Sequence, residues 1–107
     1  MSTGYLLIFC TCPNNSCATK LATKLVTEKL AACVSIIPTL KSFYLWKNKL
    51  EISEECLLFI KTTEHSYQTI ESFIKREHPY ELPEIVATSI TQGAVSYLNW
   101  ITSSISK

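Results

Sequence analysis

Residues Val34 to Thr62 read VSIIPTLKSFYLWKNKLEISEECLLFIKT, and this stretch decides the architecture. Val34 to Trp46 is rich in β-branched and aromatic residues, the composition of a strand. Lys47-Asn48-Lys49 supplies a turn, because Asn48 accepts positive φ at modest cost. Ile52 to Thr62 then returns as a second long strand, so residues 34–62 predict a β-hairpin. Pro38 interrupts the first arm and implies a bulge or an edge position.

The flanks fit around this hairpin. Upstream, Tyr5 to Thr11 is a continuous apolar run ending before Pro13, the pattern of a strand buried on both faces. Asn14, Asn15 and Ser16 are all good N-caps. Ala18, Leu21, Ala22, Leu25, Val26 and Leu30 then recur at helical spacing, predicting a helix of about four turns that ends near Ala32 or Cys33. Downstream, Thr63 to His78 reads as a helix with Tyr67, Ile70, Phe73 and Ile74 inward, stopped by Pro79. Ile85 to Thr91 is a fourth strand and Ala94 to Ile105 a last helix, with Ala94, Leu98, Ile101 and Ile105 on one stripe. The order β-α-β-β-α-β-α predicts a single α+β domain over 1–107. It is a ferredoxin-like sandwich of four antiparallel strands with two helices on one face, plus a C-terminal helix.

Composition excludes much chemistry. The chain has 107 residues, 47% hydrophobic and 18% charged, which suits one folded domain. All nine acidic residues are Glu, so a Ser-His-Asp triad and a Walker B aspartate are absent. Two glycines, Gly4 and Gly93, exclude dinucleotide and phosphate loops and the GxSxG elbow. A net charge of +1 gives no field to attract nucleic acid or an anionic membrane. The apolar run Leu6 to Cys10 has no basic residues before it and is too short for a signal or a membrane span. Five cysteines are an odd number, so at least one is free, and a reduced, cytoplasmic protein is expected.

The strands are apolar on both sides. Tyr5, Leu7 and Phe9 alternate with Leu6, Ile8 and Cys10, and Cys56, Leu58 and Ile60 alternate with Leu57 and Phe59. Two helices cover only one face of such a sheet. The other face, ~19 by ~25 Å or ~500 Å², would forfeit ~12 kcal/mol if left wet. That matches the stability of a whole domain. Burial against other copies of the chain is therefore expected.

Five segments carry a family signature: EKLAACVSIIP (Glu28 to Pro38), FYLWKNKLE (Phe43 to Glu51), LLFIKTT (Leu57 to Thr63), HPYELPEI (His78 to Ile85) and YLNW (Tyr97 to Trp100). In this order and spacing they closely resemble the CutA family of divalent-cation tolerance proteins, from Phe9 to Trp100. The resemblance implies a homotrimer of P-II-like architecture, association with divalent metals, copper above all, and a role in metal tolerance. It implies no enzyme reaction. Some members are linked to anchoring a membrane enzyme, which implies a protein partner.

His78 is the first site candidate, because imidazole is the commonest copper and zinc ligand. The plain structural alternative is a hydrogen bond to backbone at a subunit contact. Family members with a copper site use a cysteine in the first strand and two adjacent histidines before Pro-Tyr. The resemblance maps these to Cys10, to His78 and to Glu77, where a weaker carboxylate ligand replaces the first histidine. Cys10, Cys12 and Cys17 together suggest a soft-metal cluster. Their spacing is not that of zinc sites, though, and Cys12 and Cys17 lie outside the family pattern. Cys33 and Cys56 read as core packing.

Lys61 interrupts an apolar strand, so its charge needs solvent or a partner such as Glu84. With Trp46 and Tyr80, these two residues define a candidate intersubunit cleft, filled by an ion pair or by a small anionic ligand. The aromatic residues suit packing at a trimer contact rather than base stacking, since the third strand lacks the RNA-recognition pattern. The sole arginine, Arg76, lies on a helix, which removes an acylphosphatase-type phosphate loop. The leading expectation is a copper-binding homotrimer without nucleic-acid or membrane insertion. The alternatives are a P-II-like small-molecule sensor and a structural scaffold for a protein partner.

Overall fold

A computed structural model describes residues 3–105. In chain order the elements are β1 (Tyr5–Cys12), α1 (Asn15–Thr27), β2 (Cys33–Trp46), β3 (Lys49–Thr63), a single 3₁₀ turn (Glu64–Ser66), α2 (Tyr67–Glu77), β4 (Val86–Ser89) and α3 (Val95–Ser104). The strands form one antiparallel sheet in the order β2-β3-β1-β4. This is the split βαβ arrangement expected from the element order.

Local chemistry sets the boundaries. Asn14 caps α1, its Oδ1 accepting the Cys17 N–H at 2.8 Å. The helix ends at Thr27, earlier than its hydrophobic spacing implies. Lys29 adopts φ 60°, its N–H bonds the Val26 carbonyl, and the Leu30 N–H reaches back to Leu25. This is a Schellman closure with lysine in the left-handed position that glycine usually takes. Leu30 still contacts the core, but from the loop.

The hairpin turn is two residues, Lys47 and Asn48, with φ 54° and 66°. Both left-handed residues give the primed turn that suits strand twist, so β3 resumes at Lys49, three residues before the apolar run at Ile52. Pro38 meets both expectations for a strand proline. It lies on the edge strand, and the register slips by one residue between Ile37 and Leu40. At the end of α2, His78 is extended at φ −80°, ψ 140°, as its position before proline demands.

The core lies between the sheet and α1 with α2. Ile8, Cys10, Cys12, Leu58 and Ile60 face Ala18, Leu21, Leu25, Ile70 and Ile74. Helix α3 packs on the opposite face, where Ile101, Ile105 and Leu98 meet Ala32 and Tyr5. The rest of that face, including Leu7, Phe9, Leu57 and Phe59, stays half-buried within one chain. Strand β1 pairs with β3 only from Cys56 to Thr63, so the hairpin over residues 40–55 projects as a two-stranded arm. Its cross-strand pairs Phe43–Ile52 and Leu45–Leu50 are 58–71% exposed. No helix among the described residues is long and apolar enough to cross a membrane.

Candidate functional site

The alternation of β1 turns Cys10 and Cys12 to the same, helix-covered side, where both are fully buried. The C-terminus of α2 delivers His78 to the same place. One ligating atom from each of the three lies within 4.8 Å of the others. The described residues thus bring Cys10 and His78 together, with Cys12 beside them.

Hydrogen bonds define the state of the imidazole. Its Nδ1 accepts the Tyr80 N–H at 3.0 Å, which assigns the ring proton to Nε2. Nε2–H therefore donates to the Thr11 carbonyl at 2.7 Å. The Cys10 thiol turns toward that same carbonyl at 3.8 Å. Cys12 is held protonated, its pKa pushed well above the ordinary thiol range by its hydrogen bond with Cys10 and then by burial. Cys17, at the start of α1, is half-buried. Burial and then the neighbouring Cys12 push its thiol up to about 11. A metal entering this cluster must displace thiol protons and, to use Nδ1, the Tyr80 amide.

Glu77 points elsewhere. Its Oε1 pairs with Lys24 Nζ at 3.3 Å and its Oε2 with Arg76 Nε at 3.5 Å. The hydrogen bond from Lys24 is the main cause of its lowered pKa. Cys56 is core, its thiol donating to the Pro38 carbonyl at 3.2 Å. Cys33 opens β2 opposite Lys61 and is half-buried rather than part of the core within one chain.

On the other side of the sheet, a groove of about 830 Å³ runs between the hairpin arm and the 78–85 loop. Trp46, Tyr80 and Glu84 line it, along with Thr11, Tyr44 and Glu55. The Tyr80 hydroxyl donates to Glu55 at 2.7 Å, and burial and then that carboxylate push its pKa up. Lys61 is not in this groove; its Nζ donates to the Tyr97 hydroxyl at 3.3 Å. Within one chain, then, Lys61 and Glu84 do not pair.

Sequence reasoning missed Glu55. A signal existed, since strand alternation puts it on the same side as Leu57 and Phe59, where a carboxylate needs a donor.

Three comparisons bear on this arrangement. Residues 6–104 match the model of the family described as CutA1 divalent ion tolerance protein. The Escherichia coli divalent-cation tolerance protein CutA is 38% identical over 104 residues, 97% of this chain and 93% of its own. The crystal structure of CutA1 from the psychrotrophic bacterium Shewanella sp. SIB1 superposes with TM-score 0.96 at 41% identity, covering 100% of both chains. That of CutA1 from Oryza sativa gives 0.95 at 35%, covering 99% of this chain and 97% of its own.

Proposed function

The chain belongs to the CutA1 divalent-ion-tolerance family, and on that premise we propose that it binds a divalent cation, copper first, as a non-enzymatic cytoplasmic homotrimer acting in metal tolerance. The convergence of Cys10 and His78 in one buried cluster carries this reading. A thiolate and an imidazole suit copper. The lone pair of His78 is at Nδ1, so that is the atom offered to a cation once the Tyr80 amide lets go. Glu77 becomes the third ligand only by leaving Lys24 and Arg76. Bound metal would supply a fixed positive charge that ties β1 to the end of α2.

The trimer reading is supported by the apolar arm and by the half-covered sheet face, which one chain cannot bury. The cytoplasmic reading is supported by five free thiols.

Titration with Cu(II), and in parallel with Co(II), which does not oxidise thiols, tests the site. Cys10→Ala and His78→Ala should each weaken binding at least ~10-fold, about 1.4 kcal/mol. Wild-type affinity in both variants would overturn it.

A second reading is favoured by the groove, whose volume is that of a small-molecule site. In this P-II-like reading a ligand lies against Trp46, Tyr80 and Glu84 of one chain, with Lys61 supplied by a neighbouring copy. Thermal-shift screening with metabolites, repeated on Lys61→Ala, tests it; no stabilisation by any compound would remove it. Capture of a protein partner with neither ligand present would favour a scaffold.

A further inference from the structure

Resting on the metal-binding reading for its location, we propose that Cys10 and Cys12 form a two-coordinate bis-thiolate site for a soft monovalent cation, Cu(I) in biological terms.

The donor set is what the fold leaves available. Cys10 and Cys12 project from one side of β1, and both are fully buried. Their sulfurs lie within 4.8 Å of each other. Two metal–thiolate bonds of about 2.3 Å, the length found with zinc, put a linear pair of sulfurs about 4.6 Å apart. The two sulfurs are thus no further apart than about that span before any metal arrives.

Harder donors are held back. Both ring nitrogens of His78 are committed to backbone groups, Nε2 to Thr11 and Nδ1 to Tyr80. Both oxygens of Glu77 face cations. Two sulfurs in a dry pocket, with nitrogen and oxygen ligands engaged elsewhere, favour a soft ion content with low coordination.

The exchange balances without electron transfer. The cation arrives as Cu(I), the two S–H bonds release two protons to solvent, and two S–Cu bonds form. The site is left with one negative charge.

The test sets Cu(I), presented anaerobically by a chromogenic competing chelator, against Co(II). In wild type one Cu(I) should move from the chelator to the protein. Cys12→Ser should lower the ratio of Cu(I) to Co(II) affinity at least ~30-fold, since one of two thiolates is gone. His78→Gln should shift that ratio the other way. An unchanged ratio in Cys12→Ser, or no Cu(I) uptake by wild type, overturns the proposal. X-ray absorption on the wild-type Cu(I) protein needs no variant: two sulfur scatterers support it, and an imidazole in the shell overturns it. Loss of Co(II) binding alone would count against the divalent reading and leave these outcomes readable.

Discussion

The Tyr80 hydroxyl donates a 2.7 Å hydrogen bond to Oε2 of Glu55, a residue only 5% exposed. Glu55 pairs with Leu40 just past the Pro38 bulge, at the root of the free hairpin arm, whereas Tyr80 belongs to the loop after α2. One hydrogen bond thus fastens the arm to the loop that carries His78.

Tyr80→Phe removes that donor and leaves a buried carboxylate short of a partner. We expect about 1–3 kcal/mol of destabilisation by urea unfolding. The raised pKa also sets a pH dependence. Folding favours the neutral phenol, so its contribution is complete below about pH 10, where the unfolded chain's tyrosine is still protonated. It is lost as pH rises through the higher folded value. In an ultraviolet titration of the folded protein, the phenolate component at highest pH should disappear in Tyr80→Phe.

Lys29 occupies a left-handed position at the end of α1 with φ 60°. Glycine meets no Cβ penalty there. Lys29→Gly should raise the stability by about 0.5–1 kcal/mol, read as a higher urea midpoint. A lower midpoint would show that the lysine side chain contributes more than its backbone strain costs.

The Glu77 carboxyl is depressed chiefly by the hydrogen bond from Lys24, with Arg76 adding to it. A depressed folded pKa contributes stability that is present above the unfolded value near 4.3 and lost as pH falls through the folded one. Wild type should therefore exceed Lys24→Ala in urea midpoint at neutral pH, with the gap closing on acidification. Because the pair is partly exposed, with side chains 42% and 26% accessible, about 0.5 M salt should shrink it too. A gap unaffected by both pH and salt would show that Lys24 acts through packing.

The apolar arm predicts assembly. Phe43→Glu combined with Leu45→Glu places two charges on the face formed by the Phe43–Ile52 and Leu45–Leu50 pairs. Wild type should sediment as a trimer and the double variant as a smaller species. A well-folded single wild-type subunit at micromolar concentration would refute the assembly.

Much of the architecture was legible because its signals are local. The Asn14 cap, the proline stop after His78 and the bulge at Pro38 each follow from one residue's own chemistry. Helix α1 ends before its apolar spacing does, because Leu30 keeps the helical spacing of the stripe while the backbone has already turned at Lys29. Hydrophobic period reports which side chains are buried, and here a loop residue is buried as well. Cys10 and His78 were nameable as candidates from residue type and family resemblance. The third member of their cluster, Cys12, lies outside the family pattern and the spacing of zinc sites, although β1 alternation alone puts it on the same side as Cys10.

The chain's own order of residues determined the succession of strands and helices, the two-sided greasiness of β1 and β3, and the shared orientation of Cys10 and Cys12, since each depends only on period and neighbours. Packing alone decided that a histidine 68 residues further along would face those thiols, that Lys24 and Arg76 would occupy Glu77, and that Tyr80 would meet Glu55. Those relationships depend on which backbone and side-chain groups lie opposite once α2 closes over the sheet, and a hydrogen-bond direction has no period for a linear sequence to display.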